Sequence, residues 1–421
     1  MKTDRDISQA IGAAGGRPVI IPAGDYEIAE TIVLPSDTTL ILDGCHLRMQ
    51  DGVVCRMFQN AGAEGHNIHI EGRGGAVLDG GLPNGLDEFT SCKDGHPHVS
   101  ENLVIFFDNV SDFSVTGLTI RDQRWWAMAF MFCERGRIEN IRFELTRHQL
   151  DSYARWRNQD GIDLRVGCSD MIIRNITGET GDDMIALTAL RSPFFEQRYT
   201  HPGRSLAIHH VLIENVRGVT NQCALIRLLS HFGQQIHDIV IRNVEETGVP
   251  GKTNQTQMAI RIGDRIPPYY RRDEANAQQF GDIHDIRIEN LTTRALTAIV
   301  TADSVKDVFV KGVHLVGDGQ SVWCSGGWLI NLQPFIYLPE REAEVRGSTL
   351  TINVNNPVIA ENVRIEDVVC TAQPNQPVPL FRFNRTEFRH CAITGLQAPG
   401  RALVEAKGCE GAPAIAGRAS H

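Results

Sequence analysis

The recurring unit of this chain is a short run of alternating apolar positions interrupted by an Asn, Gly or Asp. It reads Ile138-Glu139-Asn140-Ile141, Ile173-Arg174-Asn175-Ile176, Ile213-Glu214-Asn215-Val216, Ile241-Arg242-Asn243-Val244 and Ile288-Glu289-Asn290-Leu291. Variants stand at Ile68-His69-Ile70, Phe113 to Leu118, Val310-Lys311-Gly312-Val313 and Ile365-Glu366-Asp367-Val368. The shortest step between units is about 22 residues, within the range of solenoids, and longer steps carry insertions. Short β-patterned units with Asn and Gly at the corners predict a β-helix of stacked coils. Helix-period segments between the units are missing, which argues against a doubly wound α/β sheet. An Asn at a bend tolerates the left-handed backbone, and stacked Asn side chains can bond coil to coil. These Asn residues are therefore read as structural.

Residues 6–14 place Ile7, Ala10, Ile11 and Ala14 on one helical face. A short N-terminal helix there would cap the open end of the strand stack. The 421-residue length by itself suggests two or three domains. A solenoid grows past that limit as one unit, because each coil buries its face against the next. The expectation is one all-β domain over residues 1–407. From Gly408 to His421 the chain is small, polar and rich in Ala and Gly, and a loosely held tail is expected.

Two acidic stretches bring chemistry into this pattern: Asn158-Gln159-Asp160-Gly161-Ile162-Asp163-Leu164 and Gly181-Asp182-Asp183-Met184-Ile185-Ala186-Leu187. Aligning Ile162 and Leu164 with Ile185 and Leu187 puts Asp160 on Asp183. In stacked coils the two would be neighbours roughly 4.8 Å apart, with Asp182 beside them. Carboxylates that close raise at least one pKa, which is how an acid stays protonated near neutrality. Asp is also common in turns, and Asp160-Gly161 is a turn signal, so a row of outward-facing turn residues fits the same stretches. The same alignment, applied to Ile226 and Leu228 against Ile260 and Ile262, sets Arg227 beside Arg261.

Long insertions near 81–100, 142–157, 190–207, 246–257, 264–282 and 316–358 are expected to build cleft walls on one face. Trp125-Trp126 and the stretch from Arg265 to Arg272, with Tyr269 and Tyr270, carry aromatic rings on which sugars could stack. One of the two Trp is as readily a core plug.

A net charge of −10 and the lack of a Lys/Arg run argue against nucleic acid. No stretch approaches the ~20 apolar residues of a membrane span. Ten scattered cysteines without Cys-x-x-Cys spacing suggest free thiols, not zinc or a disulfide framework. His209-His210 would point to opposite faces of a strand and so would not share a metal. His96-Pro97-His98 lacks the further ligands of a zinc site. Residues 1–7 lack the apolar core of a signal peptide, so a cytoplasmic protein is expected, or a secreted one if a leader has been removed.

Taken together, these motifs resemble glycoside hydrolase family 28, the polygalacturonases and their relatives, from about residue 17 to about residue 320. Ile20-Ile21-Pro22-Ala23-Gly24-Asp25-Tyr26 is shared widely among pectin-acting β-helices. More specific are Gly72-Arg73-Gly74-Gly75-Ala76-Val77-Leu78-Asp79-Gly80 and Leu118-Thr119-Ile120-Arg121-Asp122 with Trp125-Trp126. Most specific is Asn158-Gln159-Asp160-Gly161-Ile162-Asp163 followed by Gly181-Asp182-Asp183. The resemblance implies a single-stranded, right-handed parallel β-helix and an inverting hydrolase without metal or organic cofactor. It implies Asp182 as general acid, with Asp160 and Asp183 activating water, and Arg261 orienting the substrate. Arg227, Asn158, Trp126 and Tyr270 are added as substrate-binding candidates.

Two family features are altered. The coil that carries Gly-His-Gly in the family reads Asn221-Gln222-Cys223 here, and the Lys of the family's Arg-Ile-Lys is Gly263. The expected function is hydrolysis of pectic oligosaccharides, of galacturonan or rhamnogalacturonan type, from a chain end. The partner is then an oligosaccharide, and the sequence leaves the oligomeric state open. A β-helix lyase or epimerase, and a non-catalytic carbohydrate-binding β-helix, fit the same residues.

Overall fold

The computed structural model describes residues 2–87, 95–146, 158–190, 199–221, 223–231, 233–248, 256–263, 278–317, 320–326, 358–371, 378–401 and 403–417. Its strands stack in parallel, coil on coil, as a right-handed parallel β-helix. One face is a twelve-stranded sheet that runs from Ile32–Leu34 to Val404–Lys407. The rest of each coil belongs to a nineteen-stranded sheet whose long strands bend around the corners.

The Ile-x-Asn-Ile unit explains the bend. In strand Ser169–Thr180, Met171, Ile173 and Ile176 all point into the core. Strict alternation would send Ile176 outward, but Asn175 sits at φ 57° and resets the period. Asn140, Asn215, Asn243 and Asn290 hold the same conformation, at φ 55° to 57°. Their side chains form a ladder. Asn175 donates to the Asn140 carbonyl (2.9 Å), Asn215 to Asn175 (3.0 Å), Asn243 to Asn215 (3.1 Å) and Asn290 to Asn243 (3.0 Å). Gly312 continues the corner at φ 74°.

A second left-handed corner runs through Asp170, His210, Asp238 and Asp285. It corrects the expectation for His209-His210. At φ 53° His210 turns back toward its neighbour, and the two Nδ1 atoms lie 3.0 Å apart. His209, His237 and His284 stack coil on coil, with ring centroids 5.1 and 5.0 Å apart.

Helix α1 spans Asp4–Ala14, two residues longer at its start than the apolar pattern showed. The Asp6 carboxylate accepts from the Thr3 N–H (2.7 Å), and Gly15 ends the helix at φ 57°. Ile7 is fully buried, and Ala10, Ile11 and Ala14 pack against the same core. The Asp4 carboxylate accepts from the N–H groups of Ala29 and Glu30, which ties the cap to the first coil.

At the other end the boundary read at residue 407 moves. Ala414–Gly417 forms a strand paired with Ala392–Gln397, with Ile415 opposite Ile393. Ile415 packs on the core, so apolar burial holds residues that composition marked as loose. Among the described residues all nine cysteines are free thiols, and no helix is long and apolar enough to cross a membrane.

Candidate active site

The acidic residues lie at the edge of the twelve-stranded sheet, just before strands Ile162–Leu164 and Ile185–Ala189. The Gly161 N–H donates to the Asp183 carbonyl (2.9 Å), and Ile162 N–H to Met184 (3.0 Å). Ile162 pairs with Ile185 and Leu164 with Leu187, so Asp160 and Asp183 hold equivalent positions in adjacent coils. Gly161 is required by space: a Cβ there would stand 2.5 Å from the Met184 carbonyl oxygen. The turn before Asp160 is held by an exchange between two glutamines. Gln123 Nε2 donates to the Gln159 carbonyl (3.1 Å), and Gln159 Nε2 to the Gln123 carbonyl (2.6 Å). Nothing in the sequence pattern singled out Gln123.

On the outer side of the same strands Asp163, Ala186, Arg227 and Arg261 are register partners in turn. The neighbouring positions expected for Arg227 and Arg261 are therefore observed. Asp160, Asp163 and Asp183 are fully buried, and Asp182 is half-buried. Asp183 is held on both oxygens. Oδ1 accepts from the Ala224 N–H (3.0 Å), and Oδ2 lies 2.8 Å from Arg227 Nε. That second contact is an ion pair more than an aligned hydrogen bond. Arg227 Nη2 also comes within 4.0 Å of Asp160 Oδ2. Asp182 Oδ1 accepts from the Asp183 N–H (3.0 Å), and its carbonyl accepts from the Thr180 hydroxyl (2.7 Å).

Burial sets the electrostatics. It pushes the Asp160 carboxyl well above the usual range, and Asp163, Asp182 and Asp183 push the same way while Arg227 opposes them. Neither Asp160 oxygen accepts a hydrogen bond among the described residues. Burial raises Asp163 to about 7, against the pull of Arg165 and Arg227. Among the described residues four carboxylates (Asp160, Asp163, Asp182, Asp183) thus gather near three guanidinium groups (Arg165, Arg227, Arg261). Asp163, which is not among the candidates taken from the sequence, belongs to this cluster. An outward strand position revealed nothing of the burial it meets there.

Cys223 lies in the coil that carries Gly-His-Gly in the family pattern. Burial first, then Asp182 and Asp183, keeps its thiol neutral. Its sulfur lies within 4.8 Å of ligand atoms of both aspartates. Asp183 already draws positive charge from Arg227.

Two binding candidates, Trp126 and Arg227, fare differently from expectation. Trp126 is 4 % exposed, with Trp125 stacked at 3.8 Å and the Arg165 guanidinium 4.3 Å from the ring centroid. Both faces are used, so the ring is a plug and not a sugar platform. Arg227 is engaged by Asp183 instead of standing ready for a substrate carboxylate. Tyr270 lies outside the described residues. Arg261 is 1 % exposed beside Arg227, and Asn158 is buried in the turn that leads into Asp160.

On the N-terminal side, the outside of the sheet is filled by a second apolar cluster that includes Val99, Leu103, Phe106, Trp125, Trp126 and Phe132. Phe106 and Ala129 continue the column of Asp163, so this wall begins one strand from the acidic cluster. Tyr199, from the insertion read as a cleft wall, tilts against Phe106 at 4.8 Å and accepts from Arg56 (2.7 Å).

Residues 16–208 match the sequence profile described as glycosyl hydrolases family 28, and this span holds Asp160, Asp182 and Asp183. The structure is similar to the polygalacturonase of Erwinia carotovora ssp. carotovora (TM-score 0.54, 14 % identity, 96 % of this chain and 92 % of that one). It is similar to the family 28 exopolygalacturonase of Yersinia enterocolitica (TM-score 0.53, 14 % identity, 99 % and 77 %). It also resembles a tailspike mutant of E. coli bacteriophage HK620, in complex with a hexasaccharide (TM-score 0.57, 13 % identity, 94 % and 67 %). At these identities the solved structures establish the fold. No curated protein sequence matches the chain. With the family profile over the acidic stretches, the chain is similar to glycosyl hydrolases family 28 across residues 16–208, and a glycoside hydrolase is the class this similarity supports.

Proposed function

We propose that the protein is an inverting hydrolase that removes sugars from the end of pectic oligosaccharides. The observation that carries this reading is the register that stacks Asp160 on Asp183 with Asp182 beside them. Asp182 is the carboxyl group of the three that solvent reaches, as a donor to a leaving-group oxygen must be. In the proposed reaction Asp182 gives its proton to the glycosidic oxygen as the C–O bond breaks. Water attacks the opposite face of the ring and loses a proton to the Asp160–Asp183 pair. The sum is one water added, and the cluster's proton count is restored when the proton returns to Asp182. Inverting sites place acid and base roughly 6.5–9.5 Å apart to admit the water. The apolar wall beside Asp163 supports action at a chain end, since it fills the sheet's outer face one strand away. The names of the similar polygalacturonases support a pectic substrate.

The engagement of Arg227 by Asp183, together with Gly263 in place of a lysine, favours a second reading of the substrate: a rhamnogalacturonan-type linkage with a neutral sugar at the reacting centre. The test of mechanism is proton NMR of the first-formed product. An anomeric configuration opposite to that of the cleaved linkage is expected. Retained configuration, or an unsaturated product, would sink the proposed reaction.

A further inference from the structure

We propose that Arg227 is a positioning residue that sets how readily the aspartate cluster takes up and gives up a proton, by pairing with Asp183 and flanking Asp160 from two coils away. The inference rests on the acid–base reading of the cluster given above.

The geometry that supports it begins with Ala186. Arg227 and Asp163 sit on either side of this alanine in one register column. A methyl group leaves room for the guanidinium to lie back over the sheet. It thereby reaches Asp183 one coil away (2.8 Å) and Asp160 two coils away (4.0 Å). Asp183 is held by two contacts, one on each oxygen, and Arg227 supplies one of them. Arg261 is buried directly behind Arg227 in register, and like charges at adjacent strand positions repel. That repulsion pushes the Arg227 guanidinium toward the aspartates.

Asp160 meets three anionic neighbours, Asp163, Asp182 and Asp183, with Arg227 as the opposing charge. Arg165 serves Asp163 on the far side (3.4 Å), and the Cys223 thiol is neutral. Without Arg227 the Asp160 carboxyl, already raised by burial and its carboxylate neighbours, would rise further and accept a proton from water less readily. With it, part of that rise is opposed.

The test compares wild type with Arg227→Gln and Arg227→Lys in two measurements. The first needs no substrate: melting temperature from pH 5 to pH 9. A buried acid with a raised folded-state pKa loses stability as pH climbs from the ordinary carboxylate range toward that pKa. Removing the compensating charge extends the loss to higher pH. The Arg227→Gln penalty should therefore widen as pH rises, and Arg227→Lys should stay closer to wild type. The second is the pH profile of kcat on a cleaved oligosaccharide. Arg227→Gln should move the acidic limb upward by about one pH unit or more, with activity partly recovered at alkaline pH. Arg227→Lys should return the limb toward its original place.

A melting penalty that does not change with pH would reduce Arg227 to packing. A raised KM with an unmoved limb would make it a substrate clamp. Either result overturns the proposal. Should Arg227→Gln fail to fold, the double variant Asp183→Asn/Arg227→Gln is expected to fold, because the carboxylate that Arg227 pairs with is gone. Failure of the double variant would also overturn it. If no oligosaccharide is cleaved, the melting curves still decide the role of Arg227, while the hydrolase reading fails separately.

Discussion

Asp160 shows what a single residue contributes here. A carboxyl group with no hydrogen bond from a described residue, fully buried among three others, costs stability whenever it is charged. Its folded-state pKa is raised, so the protein gives up stability as pH rises above the ordinary carboxylate range. Asp160→Asn removes that dependence. The variant should match wild type in melting temperature near pH 4, exceed it at pH 8, and lose hydrolysis. Equal melting temperatures at both pH values would contradict the burial account. At this scale the sequence was uneven as a guide. Asp160, Asp182 and Asp183 were legible because parallel stacking brings residues of equal offset together. Trp126 was not, since an aromatic residue after a strand reads the same whether it faces a sugar or is clamped between Trp125 and Arg165. Gln123 was invisible because its role is main-chain bonding across 36 residues.

The element that repeats is the coil with its asparagine corner. Each interior ladder Asn serves twice, in the left-handed backbone and in the side-chain bonds to the coils on either side. Asn215→Ala loses both and should cost about 1–3 kcal/mol, read by chemical denaturation. Asn215→Gly keeps the backbone and should cost less, as Gly312 does in its own coil. Equal costs would mean that the ladder bonds contribute nothing. Here the sequence was informative, because Ile-x-Asn-Ile puts apolar residues three apart where a flat strand would put them two apart. The same left-handed reset misled the reading of His209-His210, since alternation was assumed where the corner breaks it.

Gly263 belongs at this scale as well. It sits at φ 78°, and an added Cβ would meet Gln278 Oε1 at 2.9 Å and Asp303 at 3.0 Å. Gly263→Lys should therefore lower stability by about 1–3 kcal/mol and fail to install the family's cation. A stable Gly263→Lys variant with tighter galacturonate binding would show that the coil tolerates the change. The loss of that lysine was plain in the sequence; the turn that excludes it was not.

For the whole molecule, one end of the stack is closed by helix α1, and the outside of the twelve-stranded sheet is filled by an apolar wall up to the column of Asp163. The wall covers the sheet's outer face one strand from the acidic cluster. The account therefore expects early digests to contain only the smallest sugars and a slowly shortening substrate, seen by chromatography over time. A ladder of intermediate sizes from the first minutes would place the open groove on both sides of the site.

The central claim is that Asp182 gives the proton that breaks a glycosidic bond. The direct test is mass spectrometry of a panel of pectic oligosaccharides incubated with wild type and with Asp182→Asn. Products that together carry the mass of one added water, formed by wild type and reduced at least about 100-fold by the substitution, are the predicted result. Products lighter by that water, or hydrolysis that survives Asp182→Asn, would contradict it.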